Sequence, residues 1–179
     1  MRRKSGAGGS GGGEIGYPKA MDVALTLLGF RSRTEREMEK RLLEKGVGTE
    51  VAGRVCARLR EIGYLDDRKF ALDWIKSRAG GKCRSPSMLK RELQGKGISR
   101  SIAEEAVAEG LAGRDLFEEA CALARRKMRR GGEGETARLR PKVQGLLLRR
   151  GFDYDFIRKV IDATAPPPDD GYPPARGPE

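Results

Sequence analysis

Apolar residues recur at intervals of three and four along the central part of the chain, and no stretch alternates strictly between apolar and polar positions. The segment VAGRVCARLREIG is typical, because it places Val51, Val55, Leu59 and Ile62 on one face and ends at Gly63. This periodicity predicts amphipathic helices and no half-buried strands. We therefore expect an all-α protein.

Three segments repeat one pattern: MEKRLLEKGVGTEVAGRV, LKRELQGKGISRSIAEEA and VQGLLLRRGFDYDFIRKV. In each, a cation and a glycine follow an apolar helical stretch and precede another apolar residue. The three glycines are Gly46, Gly97 and Gly151. Glycine readily adopts the left-handed conformation that ends a helix, and a cation before it is favourable at the negative end of the helix dipole. Each segment is therefore predicted to be helix, tight turn, helix, with the glycine as a structural residue.

A further helix is predicted before each segment, near 20–31, 67–79 and 115–129, which completes a three-helix unit. Units this small cannot bury a core alone, so neighbours are expected to stack. The predicted fold is all-α, an elongated and curved row of three tandem three-helix repeats. The predicted repeats occupy residues 17–66, 67–112 and 113–163.

The two ends of the chain differ from the repeats in composition. Residues 1–16 form a Gly-rich arm and residues 164–179 a Pro-rich tail, and both are predicted to be disordered. Pro141 is expected in the first turn of a short helix, because proline inside a helix removes a hydrogen bond and clashes with the preceding turn.

Asp66 and Asp67 form an adjacent pair of carboxylates within GYLDDRKF. Such pairs serve as catalytic acids, as metal ligands or as helix starts. Asp66 falls just before a predicted helix, where its side chain can accept hydrogen bonds from free amides, and Asp67 favours the positive helix end. Helix capping is the favoured interpretation, with metal or acid–base chemistry as its alternative. Thr34 with Glu37 has the spacing of a capping box, and Ser85 is also a predicted N-cap.

The charge of the chain indicates that the repeats form a binding protein and not only a scaffold. The chain has 37 Lys and Arg residues against 26 Asp and Glu, a net charge of +11 and a pI of about 9.9. The arm carries three basic residues and one acid, and the tail one basic residue and three acids, so the repeats carry the whole net charge. Such a surface favours anionic partners, either nucleic acid or an acidic protein face.

Two groups of cations are candidate contacts to phosphates or to acidic protein groups. The first group is Lys76, Arg78, Lys82, Arg84, Lys90 and Arg91. The second group is Arg125, Arg126, Lys127, Arg129 and Arg130. The alternative interpretation is a solvated loop for the first group and a solvated helix end for the second. Trp74 has two interpretations as well, base stacking or packing between helices.

Catalysis is not expected. The chain contains no histidine, which removes the commonest general base and the commonest neutral metal ligand. Cys56, Cys83 and Cys121 are isolated, so neither a metal site nor a cofactor site is predicted. Their odd number favours a reducing cytoplasm, and no apolar run approaches the roughly 20 residues that cross a membrane. We expect a cytoplasmic monomer.

The stretch GYLDDRKFALDWIKSR resembles the most recognisable motif of the RecX family, whose members regulate the RecA recombinase. REMEKRLLEKG before it, LKRELQGKGIS after it and LLLRRGFDYDFIRKVI near the end extend the resemblance over residues 22–162. The resemblance implies three tandem three-helix repeats and binding along a RecA–DNA filament. It also implies modulation, chiefly inhibition, of the recombinase, ATPase and coprotease activities of RecA in DNA repair and the SOS response. It carries no catalytic residue. The alternative is a general nucleic-acid-binding helical protein without RecA specificity.

Overall fold

The computed structural model describes residues 15–79, 83–129 and 136–164, and these residues form nine helices and no strands. The first repeat comprises α1 (Tyr17–Phe30), α2 (Glu35–Glu44) and α3 (Thr49–Glu61). The second comprises α4 (Asp67–Ala79), α5 (Pro86–Gly95) and α6 (Arg100–Gly110). The third comprises α7 (Leu116–Arg129), α8 (Thr136–Leu148) and α9 (Tyr154–Thr164). The predicted all-α fold of tandem three-helix repeats is confirmed.

Each repeat buries its own small core. Met38, Leu42 and Leu59 lie fully buried at the centre of the first, and Leu89 and Leu93 at the centre of the second. The third repeat is built in the same way around Val143, Leu147 and Val160. Helix packing is extensive within the repeats, whereas neighbouring repeats also meet through loops and turns: Cys83, which precedes α5, is buried in the core of the third repeat.

The turn glycines have the predicted left-handed conformation. Their φ angles are +85° at Gly46, +90° at Gly97 and +84° at Gly151. A hypothetical Cβ at Gly97 would lie 2.5 Å from the Cβ of Arg36, and one at Gly151 would lie 2.6 Å from the Cβ of Met88. A Cβ at Gly46 would meet no atom within 4 Å. Two of the three turns therefore also need glycine because the preceding repeat packs against them.

At both junctions a hydrogen bond reaches the carbonyl of the cation that precedes the turn glycine, from a side-chain hydroxyl at the first and from a backbone amide at the second. At the first, the hydroxyl of Thr34 donates to the carbonyl of Lys96 at 2.7 Å and accepts from the amide of Glu37 at 3.1 Å. At the second, the amide of Ser85 donates to the carbonyl of Arg150 at 3.0 Å. Thr34 and Ser85 thus cap the second helix of one repeat and also bind the Gly turn of the next.

The structure corrects the predicted ends of the folded region. Ile15 was assigned to the disordered arm, but it packs against the core of the first repeat, two residues before α1 begins at Tyr17. Thr164, assigned to the tail, is the last residue of α9. The remaining residues of the predicted arm and tail lie outside the described residues.

Pro141 lies inside α8 and not in its first turn, which corrects a second expectation. The apolar residues Leu139, Val143 and Leu147 flank it at intervals of four and are all buried. Their packing holds the helix together although the proline costs about 3 kcal/mol.

Asp66 caps α4 as predicted, with its carboxylate accepting from the amide of Lys69 at 2.8 Å. Asp115 occupies the same position before α7 and accepts from the amides of Phe117 and Glu118, both at 3.0 Å. Asp66→Ala is expected to lower the free energy of unfolding by roughly 0.5–2 kcal/mol, and Asp66→Asn to restore most of it. Asp115→Ala is the matched variant and should cost a similar amount in chemical denaturation followed by circular dichroism. An Asp66→Asn protein that folds normally but has lost binding to a partner would show that the carboxylate contacts that partner.

Candidate interaction surface at the repeat junctions

Part of the first predicted group of cations is engaged inside the protein. Arg78 and Arg84 both pair with Glu92, and the carboxylate of Glu92 also accepts from the indole N–H of Trp74 at 3.2 Å. The guanidinium of Arg78 lies 4.3 Å from the centre of the Trp74 ring. These two arginines therefore organise the second repeat as well as adding positive charge to its surface.

The second predicted group lies along α7. Arg125 pairs with Glu118 at 2.7 Å. Arg126 and Arg129 line a cavity of about 490 Å³ together with Arg114. Arg114 pairs with Glu119 in the same cavity, so Arg126 and Arg129 supply its excess positive charge, and this end of α7 stays a predicted contact.

The remaining predicted cations are spread over different helices. Lys76, Arg91 and Lys127 are exposed, and Lys90 is half-buried. Lys82 and Arg130 lie outside the described residues.

A basic groove at the first junction was not anticipated from the sequence. It has a volume of about 560 Å³ and contains only two carboxylates, those of Glu37 and Glu44. Its cations are Arg31, Arg33, Arg36, Lys40, Arg41 and Lys96. We call it the junction groove. A signal was present in FRSRTEREMEKR, but glutamates alternate with its cations, and that pattern is typical of an ordinary solvated helix.

The ion pairs inside the junction groove do not balance its charges, and the excess of positive charge favours an anionic ligand. The carboxylate of Glu37 accepts from Arg31 at 2.9 Å and from Lys96 at 3.3 Å, which links the two repeats. Burial favours a higher pKa for Glu37, but the hydrogen bond from Arg31 and the charge of Lys96 outweigh it and lower that pKa. Arg33 has a lowered pKa as well, because of partial burial and the like charge of Arg31. Arg36 has no hydrogen-bond or ion-pair partner among the described residues. Lys40 and Arg41 both pair with Glu44, at 3.9 and 2.8 Å, so the six cations share two carboxylates and positive charge is left over after these internal pairs are made.

Both carboxylates of the Asp66–Asp67 pair accept hydrogen bonds from backbone amides at helix starts, which is a structural role. Asp67 accepts from the amide of Glu35 at 2.9 Å, so it reaches across the first junction to the start of α2. Burial raises the pKa of Asp67. Within the described ranges no group of three or more His, Cys, Asp or Glu side chains is arranged to hold a metal ion.

The cysteines are poorly suited to nucleophilic chemistry. All three are buried, and burial raises the pKa of Cys56 and of Cys83 to about 11. A thiol with such a pKa is protonated at neutral pH, whereas the thiolate is the reactive form. In the part of the chain that the structure describes, no helix is long and apolar enough to span a membrane.

These features define a class of protein: a helical tandem-repeat protein with a basic groove where its first two repeats meet. Profiles of the first, second and third three-helix domains of RecX match residues 20–59, 66–107 and 114–161. The chain belongs to the RecX family of regulatory proteins.

Individual relatives agree with this assignment. Regulatory protein RecX of Mycobacterium marinum is 35% identical over 149 residues, which are 81% of this chain and 84% of the relative. Regulatory protein RecX of Leuconostoc citreum is 29% identical over 150 residues, but the chain covers only 54% of that longer relative. A crystal structure of RecX from Lactobacillus salivarius superimposes with a TM-score of 0.71 over 83% of this chain and 96% of that one, at 24% identity, and supports the fold.

Proposed function

We propose that this RecX-family protein is a non-catalytic regulator that binds the RecA–DNA filament and inhibits the recombinase, ATPase and coprotease activities of RecA. The observation that carries the proposal is the junction groove, with six cations against two carboxylates on a protein related to regulatory proteins. A RecA–DNA filament presents DNA phosphates in a regular array, and phosphate contacts supply affinity without sequence preference. The three free buried cysteines suit a protein that acts in the cytoplasm.

Inhibition follows from occupation of the filament groove. A row of linked repeats can span neighbouring RecA subunits, and a protein held there would exclude other substrates and hinder extension of the filament. The hydrogen bonds of Thr34 and Ser85 at the two junctions favour docking of the repeats as one unit, because they tie each repeat to the next.

The test is hydrolysis of ATP by RecA on single-stranded DNA, with and without this protein. We expect the rate to fall at protein concentrations well below those that cover the DNA, because a regulator that binds the filament acts without displacing RecA from the strand. Inhibition that begins only at concentrations where the protein covers the DNA would indicate competition for DNA and favour a general nucleic-acid-binding protein, and an unchanged rate would contradict the proposal.

A further inference from the structure

A second cavity lies beside the junction groove. It has a volume of about 270 Å³, and its walls are Arg31 and Ser32 from the loop before α2 and Phe70, Asp73, Trp74 and Ser77 from α4. The four α4 residues are spaced so that they share one helix face. We call this space the aromatic cavity. Arg31 lines both the cavity and the groove, so the two are adjacent.

The aromatic rings of this cavity are held in place by the second repeat. The rings of Phe70 and Trp74 lie within 12° of parallel, with their centres 6.2 Å apart. The Trp74 indole N–H donates to Glu92, and the cationic groups of Arg78 and Lys96 lie 4.3 and 4.2 Å from the ring centre. The ordered ring loses little conformational entropy when a flat ligand stacks on it, but a ligand that stacks on Trp74 must take the place of one of these two cations.

We propose that the first junction binds a single-stranded nucleic acid, with one base stacked in the aromatic cavity and the neighbouring phosphates on the junction groove. This inference rests on the proposed function and names the form of nucleic acid that the same surface takes. Aromatic side chains stack on bases of any sequence, while cations beside them follow the backbone. The base must be unpaired, because paired bases in a duplex are already stacked on their neighbours.

The surroundings of the cavity suit a base joined to a strand. Asp73 is exposed and has no partner among the described residues, so its carboxylate is available to accept from the edge of a base. The groove cations on α2 extend from Arg36 to Arg41, over about 8 Å of helix. That length favours several phosphates in a row over the phosphates of a single small nucleotide.

The chain has one tryptophan, Trp74, so tryptophan fluorescence reports on the aromatic cavity and on Lys96, which lies 4.2 Å from the ring centre. The full-length protein is titrated with a short labelled oligothymidylate and with an abasic strand of equal length. We expect anisotropy to show that both bind, and only the strand with bases to quench Trp74. The affinity for the strand with bases should be higher by about fivefold to a hundredfold, the range that stacking of one base supplies.

Phe70→Leu keeps an apolar side chain but removes an aromatic surface. It should lower the affinity for oligothymidylate by about tenfold and leave the affinity for the abasic strand unchanged. The matched control is Phe117→Leu, because Phe117 is also partly exposed but packs on Phe156 in the third repeat. Circular dichroism should be unchanged in both variants.

Three results would overturn the inference: equal quenching by the abasic strand, binding of oligothymidylate without quenching, or quenching by a free nucleoside triphosphate at the same concentration. RecA hydrolysis of ATP is measured with the same preparations. Inhibition of RecA without base-dependent quenching removes only this inference. Base-dependent quenching without any effect on RecA removes the proposed function and keeps the strand site.

Discussion

Reversal of Arg36, Lys40 and Arg41 to glutamate is expected to weaken binding to RecA–DNA filaments by roughly two orders of magnitude at low salt. All three side chains are exposed in the junction groove, and the Lys40–Glu44 and Arg41–Glu44 pairs that are lost are exposed pairs of little stabilising value, so the fold should survive the change. Each cation that neutralises a phosphate releases counterions, and the loss of three such contacts should lower the slope of log affinity against log salt by about 2. Binding is measured by the anisotropy of labelled DNA within the filament across a salt series.

The matched control applies the same change of charge elsewhere. Arg126, Lys127 and Arg129 are exposed on α7, and their reversal to glutamate also changes the net charge by six. If the junction groove is the principal contact, this control should weaken binding far less and keep most of the salt dependence. If the control loses more binding affinity than the groove variant, the predicted α7 cations are the principal contact.

The features that could be predicted from the sequence depend on residues close together in the chain. The left-handed turn at Gly97 follows from a cation and a glycine at the end of an apolar helix. The caps at Thr34, Ser85 and Asp66 follow from a side chain and an amide three residues later. Such interactions require no knowledge of the tertiary structure, so their spacing was sufficient.

The features that could not be predicted depend on contacts between distant residues. The junction groove needs Lys96, which reaches α2 only because the Gly97 turn packs on Arg36. Arg78 and Arg84 look like free loop cations in the sequence, and only the fold brings both to Glu92. Charge count therefore predicts an anionic partner, which stays a prediction, but it could not indicate which cations are left over once the internal pairs are made.

Asp67 and Trp74 could be predicted from the sequence only in part. The position of Asp67 at the start of α4 was predictable, but its hydrogen bond to the amide of Glu35 crosses the first junction. Trp74 had two interpretations from the sequence, base stacking or packing between helices, and in the structure its ring lies beside that of Phe70, with their centres 6.2 Å apart. Whether the rings face a core or a cavity depends on the loop before α2, which the sequence of α4 does not contain.

The second large effect is expected at the turn glycines. Gly97→Ala and Gly151→Ala should each lower the free energy of unfolding by about 2–5 kcal/mol. Roughly 1–2 kcal/mol is the cost of a left-handed alanine, and the remainder is the cost of an extra methyl group in a filled space. The methyl group would meet Arg36 in the first case and Ser85 and Met88 in the second, at 2.5–2.6 Å. These neighbours are near the backbone, so the repeats must separate to accommodate it.

Gly46→Ala is the matched control for this prediction, because Gly46 has the same left-handed conformation with no atom within 4 Å of the added Cβ. It should cost only the roughly 1–2 kcal/mol of backbone strain. Chemical denaturation followed by circular dichroism separates the two contributions. Because tandem repeats are stabilised by their interfaces with neighbours, Gly97→Ala should also make the unfolding transition broader, as the first repeat loses its coupling to the second. Equal destabilisation in all three variants, with equally sharp transitions, would mean that the Gly turns do not hold the repeats together and that the junction groove is not a fixed surface.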